Sequence, residues 1–261
     1  MSVDQHDANV KPQSVTLDAF LGGELQILQP KNGFRAGVDS VLLGAAVHRN
    51  SKRLLELGAG VGVAALTALK HNIDLTAHLA EISDEAVQLC HQNTAHNNLS
   101  ERAQIAQVDI LASGPDRAEA GMTPDHFDTV IANPPYFDNK SVSMPKDQYG
   151  AQAHAHAKDC LDKWVKAAVS AAHATAEIIF VHRAEAINDL LRAYDKRLGD
   201  ITILPIMSRP DQPASRVLIR GRKGSKAPTT MLSPLHLHGA EGRESSPKVE
   251  RILQGHDCLH W

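Results

Sequence analysis

From residue 52 onward the chain repeats one rhythm, and that rhythm limits the folds open to it. A short apolar run meets a polar or glycine-rich stop, and a helical period follows. "KRLLELGAG" is such a run and "VGVAALTALKHN" its helix. "DLTAHLAEIS", "AQIAQVDIL" and "FDTVIANPPY" are further strands, with the helical "DEAVQLCHQNTAHNNL" after the first of them. The amphipathic stretch 160–173, a strand over 176–183 and a helix over 184–198 continue the series. Strands that alternate with helices need crossover connections, so they build a parallel sheet with helices on both faces. "ITILPI" and "SRVLIRG" break the rule, because only "MSRPDQPA" separates them. They are expected as an antiparallel hairpin at the sheet edge.

The expected architecture is therefore α/β: a doubly wound, mostly parallel, seven-stranded sheet with an antiparallel edge hairpin. Upstream, residues 16–37 alternate around Leu25 and Ile27 between Gly-Gly and Lys-Asn-Gly turn signals, which predicts an N-terminal β-hairpin extension. Asp39 is placed as the N-cap of the helix that follows. Residues 1–14 read as a polar, disordered lead, 15–50 as hairpin and helix, and 51–261 as the main domain with a C-terminal extension. Two long segments interrupt the pattern. Residues 112–126 read as a variable surface insertion, and 137–159 as a substrate loop.

Composition excludes several classes. Apolar residues make up 43% of 261, enough for a core, and the net charge is only −3. Any polyanion partner must therefore bind a local patch. The three cysteines have no C-x-x-C spacing and the fifteen histidines no acidic or cysteine ligand at metal spacing, so no metal is expected. Neither a membrane-length apolar run nor a signal core is present, which makes the cytoplasm the default location.

Two constellations carry chemistry. In "LLELGAGVG", Glu56, Gly58, Gly60 and Gly62 stand where the first strand of the repeat turns into its helix. Glycines let a ligand approach the backbone, and the helix N-terminus favours negative groups. Glu81 ends the next strand about twenty residues on, as an acid gripping ribose does. A dinucleotide fingerprint needs a small residue where Val63 stands, so a dehydrogenase is disfavoured. The G-x-G-x-G spacing resembles motif I of class I S-adenosylmethionine-dependent methyltransferases. The resemblance implies that Glu56 and the three glycines line the methionine part of S-adenosyl-L-methionine. It further implies that Glu81 with Ile82 holds the ribose, and Asp109 with Ile110 the adenine.

The second constellation is Asn133-Pro134-Pro135-Tyr136, at the end of the fourth strand. An exocyclic amine on a planar ring has a delocalised lone pair. It needs two acceptors to aim that pair, more than it needs a base. The Asn side-chain oxygen and a proline carbonyl supply them, the prolines fix their directions, and Tyr136 can stack. The tetrapeptide resembles motif IV of amino-methyltransferases, which act on adenine N6, cytosine N4, guanine N2 or glutamine amide. This implies catalytic roles for all four residues, with Asn133 also bordering the cofactor.

Residues 29–47 and 213–228, with the "LHLHG" that follows, resemble the bacterial tRNA (adenine-N6)-methyltransferase family that modifies valine tRNA. The likeness spans about residues 16–255 and implies adenine N6 in tRNA as the target, with 29–47 helping to close the cofactor pocket. Arg216, Arg220, Arg222 and Lys223 belong to a cluster of cations within residues 209–226 opposed only by Asp211, expected as a phosphate-binding stripe for structured RNA. The alternatives are guanine N2 in ribosomal RNA, a protein glutamine, or a non-catalytic RNA-binding module. Glutamine-modifying enzymes typically carry a helical N-terminal domain, unlike the hairpin pattern here. Oligomeric state is not legible.

Overall fold

The computed structural model describes residues 15–33, 35–135, 149–242 and 244–261, and side chains throughout these except in 149–159. Strand β1 (Val15–Phe20) pairs antiparallel with β2 (Leu25–Pro30). Helix α1 (Val38–Ala45) leads to β3 (Arg53–Leu57), α2 (Val63–His71), β4 (Thr76–Glu81), α3 (Asp84–His96) and β5 (Ala103–Gln107). Short α4 (Gly114–Glu119) precedes β6 (Phe127–Ala132), α5 (Tyr149–Ala171), β7 (Ala172–Arg183) and α6 (Ile187–Asp195). Strands β8 (Leu198–Met207), β9 (Ala214–Lys223), β10 (Thr230–Met231) and β11 (Leu235–His236) come next, then α7 (Pro247–Leu253).

The large sheet runs β10-β8-β9-β7-β6-β3-β4-β5, with β11 also pairing β8. Strands β3 to β7 are parallel, and β9 lies antiparallel between β7 and β8. Nine strands therefore stand where seven were expected. The additions are two-residue strands that cover the outer side of β8, too short to show alternation. On the central strands neighbouring residues face opposite layers. Leu54, Ile131 and Ile179 pack with α1, α2, α3 and the hairpin, while Leu55, Val130 and Ile178 pack with α5 and α6.

Three expectations need correction. Helix α5 starts at Tyr149, so the second half of the supposed loop 137–159 is helical; alanine-rich "AQAHAHAK" has the propensity for it. Residues 1–14 and 136–148 lie outside the described residues. The third strand of the repeat, expected over "AQIAQVDIL" to end near Asp109, stops at Gln107. Asp39 is not an N-cap: Gly37 holds that position without a side-chain cap, and Asp39 sits in the first turn of α1. The insertion 112–126 contains α4, capped by Ser113 Oγ accepting from Asp116 N–H.

The hairpin is fixed to the sheet domain by Asn93 of α3 and Asn97, the residue that caps its C-terminus. Asn93 accepts from Leu28 N–H and donates to Leu28 C=O, and Asn97 does the same with Gln26. They replace the ladder partners a strand beside β2 would supply, so the backbone N–H and C=O of Gln26 and Leu28 are paired. Asn93 also donates to the Val61 carbonyl at 3.0 Å, which ties Leu28 near the end of β2 to the glycine loop after β3.

Candidate active site

After β3 the chain makes three left-handed turns, with φ +66° at Gly58, +55° at Gly60 and +92° at Gly62. The three glycines have different reasons. A Cβ on Gly58 would lie 2.7 Å from the Trp164 ring, and one on Gly62 2.8 Å from Cys90 Sγ. A Cβ on Gly60 would meet nothing within 4 Å. Packing excludes side chains at the outer two positions, whereas Gly60 borders open space where a ligand can come close. Trp164, from α5, supports the loop, a role no sequence motif signals.

Glu81 braces this loop. Its Oε2 accepts from Gly60 N–H at 2.8 Å, and Oε1 from Ile82 and Ser83 N–H at 2.8 and 2.9 Å. A carboxylate has about four lone-pair sites, so roughly one remains for a ribose hydroxyl. Glu56 is 4% exposed and its Oε2 accepts from Ala65 N–H, in the first turn of α2. Burial, chiefly, and the nearby Glu81 push its pKa up to about 8 against the pull of that N–H. Burial also raises the Cys90 thiol pKa far above its usual range, so it stays protonated.

Asp109 is exposed in the turn after β5, where its Oδ1 accepts from Leu111 N–H. Ile82 is 61% exposed and can form a wall for a flat ring. Ile110 is only 5% exposed and packs towards Gly58, so it supports the loop from within, and Leu111 holds the exposed apolar position beside Asp109.

Asn133 follows the last residue of β6, half-buried, with Pro134 buried and Pro135 exposed. Tyr136 lies outside the described residues. The sheet order puts β3, β4 and β5 on one side of β6, and β7 and β9 on the other. The point where connections reverse, between β3 and β6, is where doubly wound sheets open a crevice for ligands. Asn133 thus stands between the glycine loop and a cavity of about 300 Å³ lined by Arg35, Gly37, Val38, Asp39, Ser40 and Arg216. Asp39 Oδ2 accepts from Arg216 Nε at 3.0 Å across this cavity. The sequence pattern could not reveal this contact, which joins residues 177 positions apart. Nearby His182 is neutral at physiological pH, its pKa pushed down to about 4 by burial and by Arg183 and Arg216.

The cationic stripe does not form one surface at this site. Arg216, Arg220 and Arg222 do share a face of β9, but β9 runs antiparallel to β7. Arg216 is opposite Arg183 at the carboxyl end of β7, and Arg222 opposite Glu177 at its middle, roughly 20 Å away at about 3.3 Å per residue. Arg220 is largely enclosed, 3.6 Å from Glu177 and 5.0 Å from the centre of the Trp261 ring. Arg222 donates to Glu177, and Lys223 to Asp125 and the Val169 and Ala172 carbonyls. Arg216 is the member placed at the cavity. Among the described residues no group of three or more His, Cys, Asp or Glu could hold a metal, and no helix is long and apolar enough to cross a membrane.

Comparison with known proteins bears on the family and the fold. The family model for the methyltransferase small domain matches residues 35–176. A tRNA1(Val) (adenine(37)-N6)-methyltransferase of Porphyromonas gingivalis is 26% identical over 91% of this chain and 94% of its own. The one from Bacteroides thetaiotaomicron is 29% identical over 50% of this chain, and the match spans about half its length, 52%. A solved structure named as a predicted O-methyltransferase, from Agrobacterium tumefaciens, is 25% identical with a TM-score of 0.72, over 85% of this chain and 98% of that one.

Proposed function

Because this chain belongs to the methyltransferase small domain family, we propose that it moves a methyl group from S-adenosyl-L-methionine to the N6 amine of an adenine in tRNA. The carrying observation is Asn133-Pro134 at the end of β6, between the glycine loop and the Arg216-lined cavity. The relatives named for tRNA adenine-N6 methylation support the substrate.

The cofactor side fits the residues present: Gly60 borders open space, Glu81 keeps a lone-pair site, and Ile82 exposes an apolar face. When bound, S-adenosyl-L-methionine supplies a methyl group on a cationic sulfur. The protein's task is to present a nitrogen to it. The Asn133 oxygen and the Pro134 carbonyl accept the two amine N–H bonds, which turns the nitrogen lone pair out of the ring plane. With the cofactor bound, the amine aimed in this way would take up the methyl group, and its surplus proton would pass to water. Rate comes from alignment, since an oriented pair of reactants saves most of the cost of bringing them together. O-methylation, as named for the Agrobacterium neighbour, would instead need a group to remove a hydroxyl proton, and an amide is no base. An unpaired tRNA base can be splayed out at small cost.

Tritiated-methyl transfer to tRNA, ribosomal RNA and protein pools, followed by nucleoside analysis, tests this. N6-methyladenosine in tRNA is the expected product. Label on guanine N2 or on a protein glutamine would replace the substrate while keeping the chemistry, and label on no pool would leave a binding module.

A further inference from the structure

We infer that the cleft between the N-terminal hairpin and α7 is a second nucleotide site, which takes the base of the nucleotide next to the methylated one. The inference rests on the RNA reading above and adds a subsite to it. The cleft encloses about 620 Å³ and is lined by Asp18, Gln29, Arg35, Val38, Leu253 and Gln254, among others. It adjoins the Asn133 cavity: Arg35, Gly37 and Val38 line both. Two pockets that share a wall suit two consecutive nucleotides of one strand.

The chemistry of the cleft favours a base over a phosphate. Arg35 is bound to Asp18 and also donates to Thr16 Oγ1 and the Pro30 carbonyl. Gln29 donates to Asp18 at 2.7 Å and accepts from Ala36 N–H at 2.8 Å. The cation is thus cancelled by its own carboxylate, and a phosphate entering here would meet Asp18. A neutral base suffers no such penalty. It offers donors and acceptors to a braced guanidinium–carboxylate pair, and its flat faces suit the apolar Val38, which is 36% exposed, and Leu253. The bracing also means that these side chains lose little freedom on binding.

The test uses Gln254, which lines this cleft and not the Asn133 cavity, and is exposed. A hairpin RNA presenting a loop adenine is prepared intact and with an abasic nucleotide on the 5′ or the 3′ side of that adenine. Binding is read by fluorescence anisotropy, and methyl transfer in parallel. Intact RNA should bind about tenfold tighter than one of the two abasic RNAs. Gln254→Trp should cost a similar factor on intact RNA and almost nothing on that abasic RNA, with the salt dependence unchanged. Equal losses on intact and abasic RNA, or indifference to both abasic substitutions, would overturn the subsite. A change in salt slope would mean that phosphate is bound instead. If binding follows the expected pattern but no adenine is methylated, the subsite stands and the proposed reaction fails.

Discussion

Glu56→Gln removes a carboxyl whose ionisation is opposed by burial. The carboxyl is buried between β3 and the first turn of α2, and its pKa is raised from 4.5 to about 8, mainly by burial. In the unfolded chain the group ionises near pH 4.5, while the folded protein keeps the proton up to about pH 8. Between these values the native state binds more protons than the unfolded one, so stability falls as pH rises. The contribution is harmless below about pH 4.5 and fully adverse above about pH 8. Each pKa unit is worth about 1.4 kcal/mol, so the loss is capped at about 5 kcal/mol, and structural relaxation will leave less. Glutamine has the same shape, can accept from Ala65 N–H and never ionises. Urea unfolding of both proteins at several values from pH 5 to pH 9 measures the difference. The stability of the variant relative to the parent should climb by a few kcal/mol between pH 5 and pH 8 and then level off. A difference that stays flat with pH would refute the buried, protonated Glu56.

The other predictions concern the loop and the cations. Gly60→Ala should cost only the left-handed strain, about 1–2 kcal/mol, yet weaken cofactor binding more than its stability loss suggests, because its Cβ would point into the ligand's space. Gly62→Ala adds a clash with Cys90 and should cost about 2–4 kcal/mol, visible in thermal melts and partly relieved by Cys90→Ala. Arg216→Ala should weaken RNA binding and lower the salt slope by about one, whereas Arg222→Ala, at the far end of β9, should leave the slope unchanged. A loss of slope with Arg222→Ala and none with Arg216→Ala would restore a phosphate path along the strand.

The parallel core was legible because each strand from β3 to β6 announces itself twice, by an apolar run and by what stops it. Glu81 could be placed for the same reason, since the end of a strand is a local feature. The cavity beside Asn133 was not legible. It is made by Asp39 and Arg216, which are remote in sequence and meet only because β9 inserts between β7 and β8. Local pattern likewise misread the arginines. Alternation puts Arg216, Arg220 and Arg222 on one face, but only the strand direction tells that the row leads away from the site. Asp39 looked like an N-cap because caps and first-turn acids favour the same residue type. Trp164 looked like one more apolar helix position, and its role under Gly58 depends on a contact between α5 and the loop after β3, remote in sequence.

In the proposed reaction Asn133 is the acceptor that orients an exocyclic amine. Single-turnover methylation by Asn133→Ala, measured beside its affinity for S-adenosyl-L-methionine, tests it most directly. The predicted result is a rate lower by about 100-fold or more, the loss typical of one oriented polar group at a reacting centre, with cofactor affinity changed less than about threefold. A rate near that of the parent, or equal losses in rate and cofactor affinity, would contradict it.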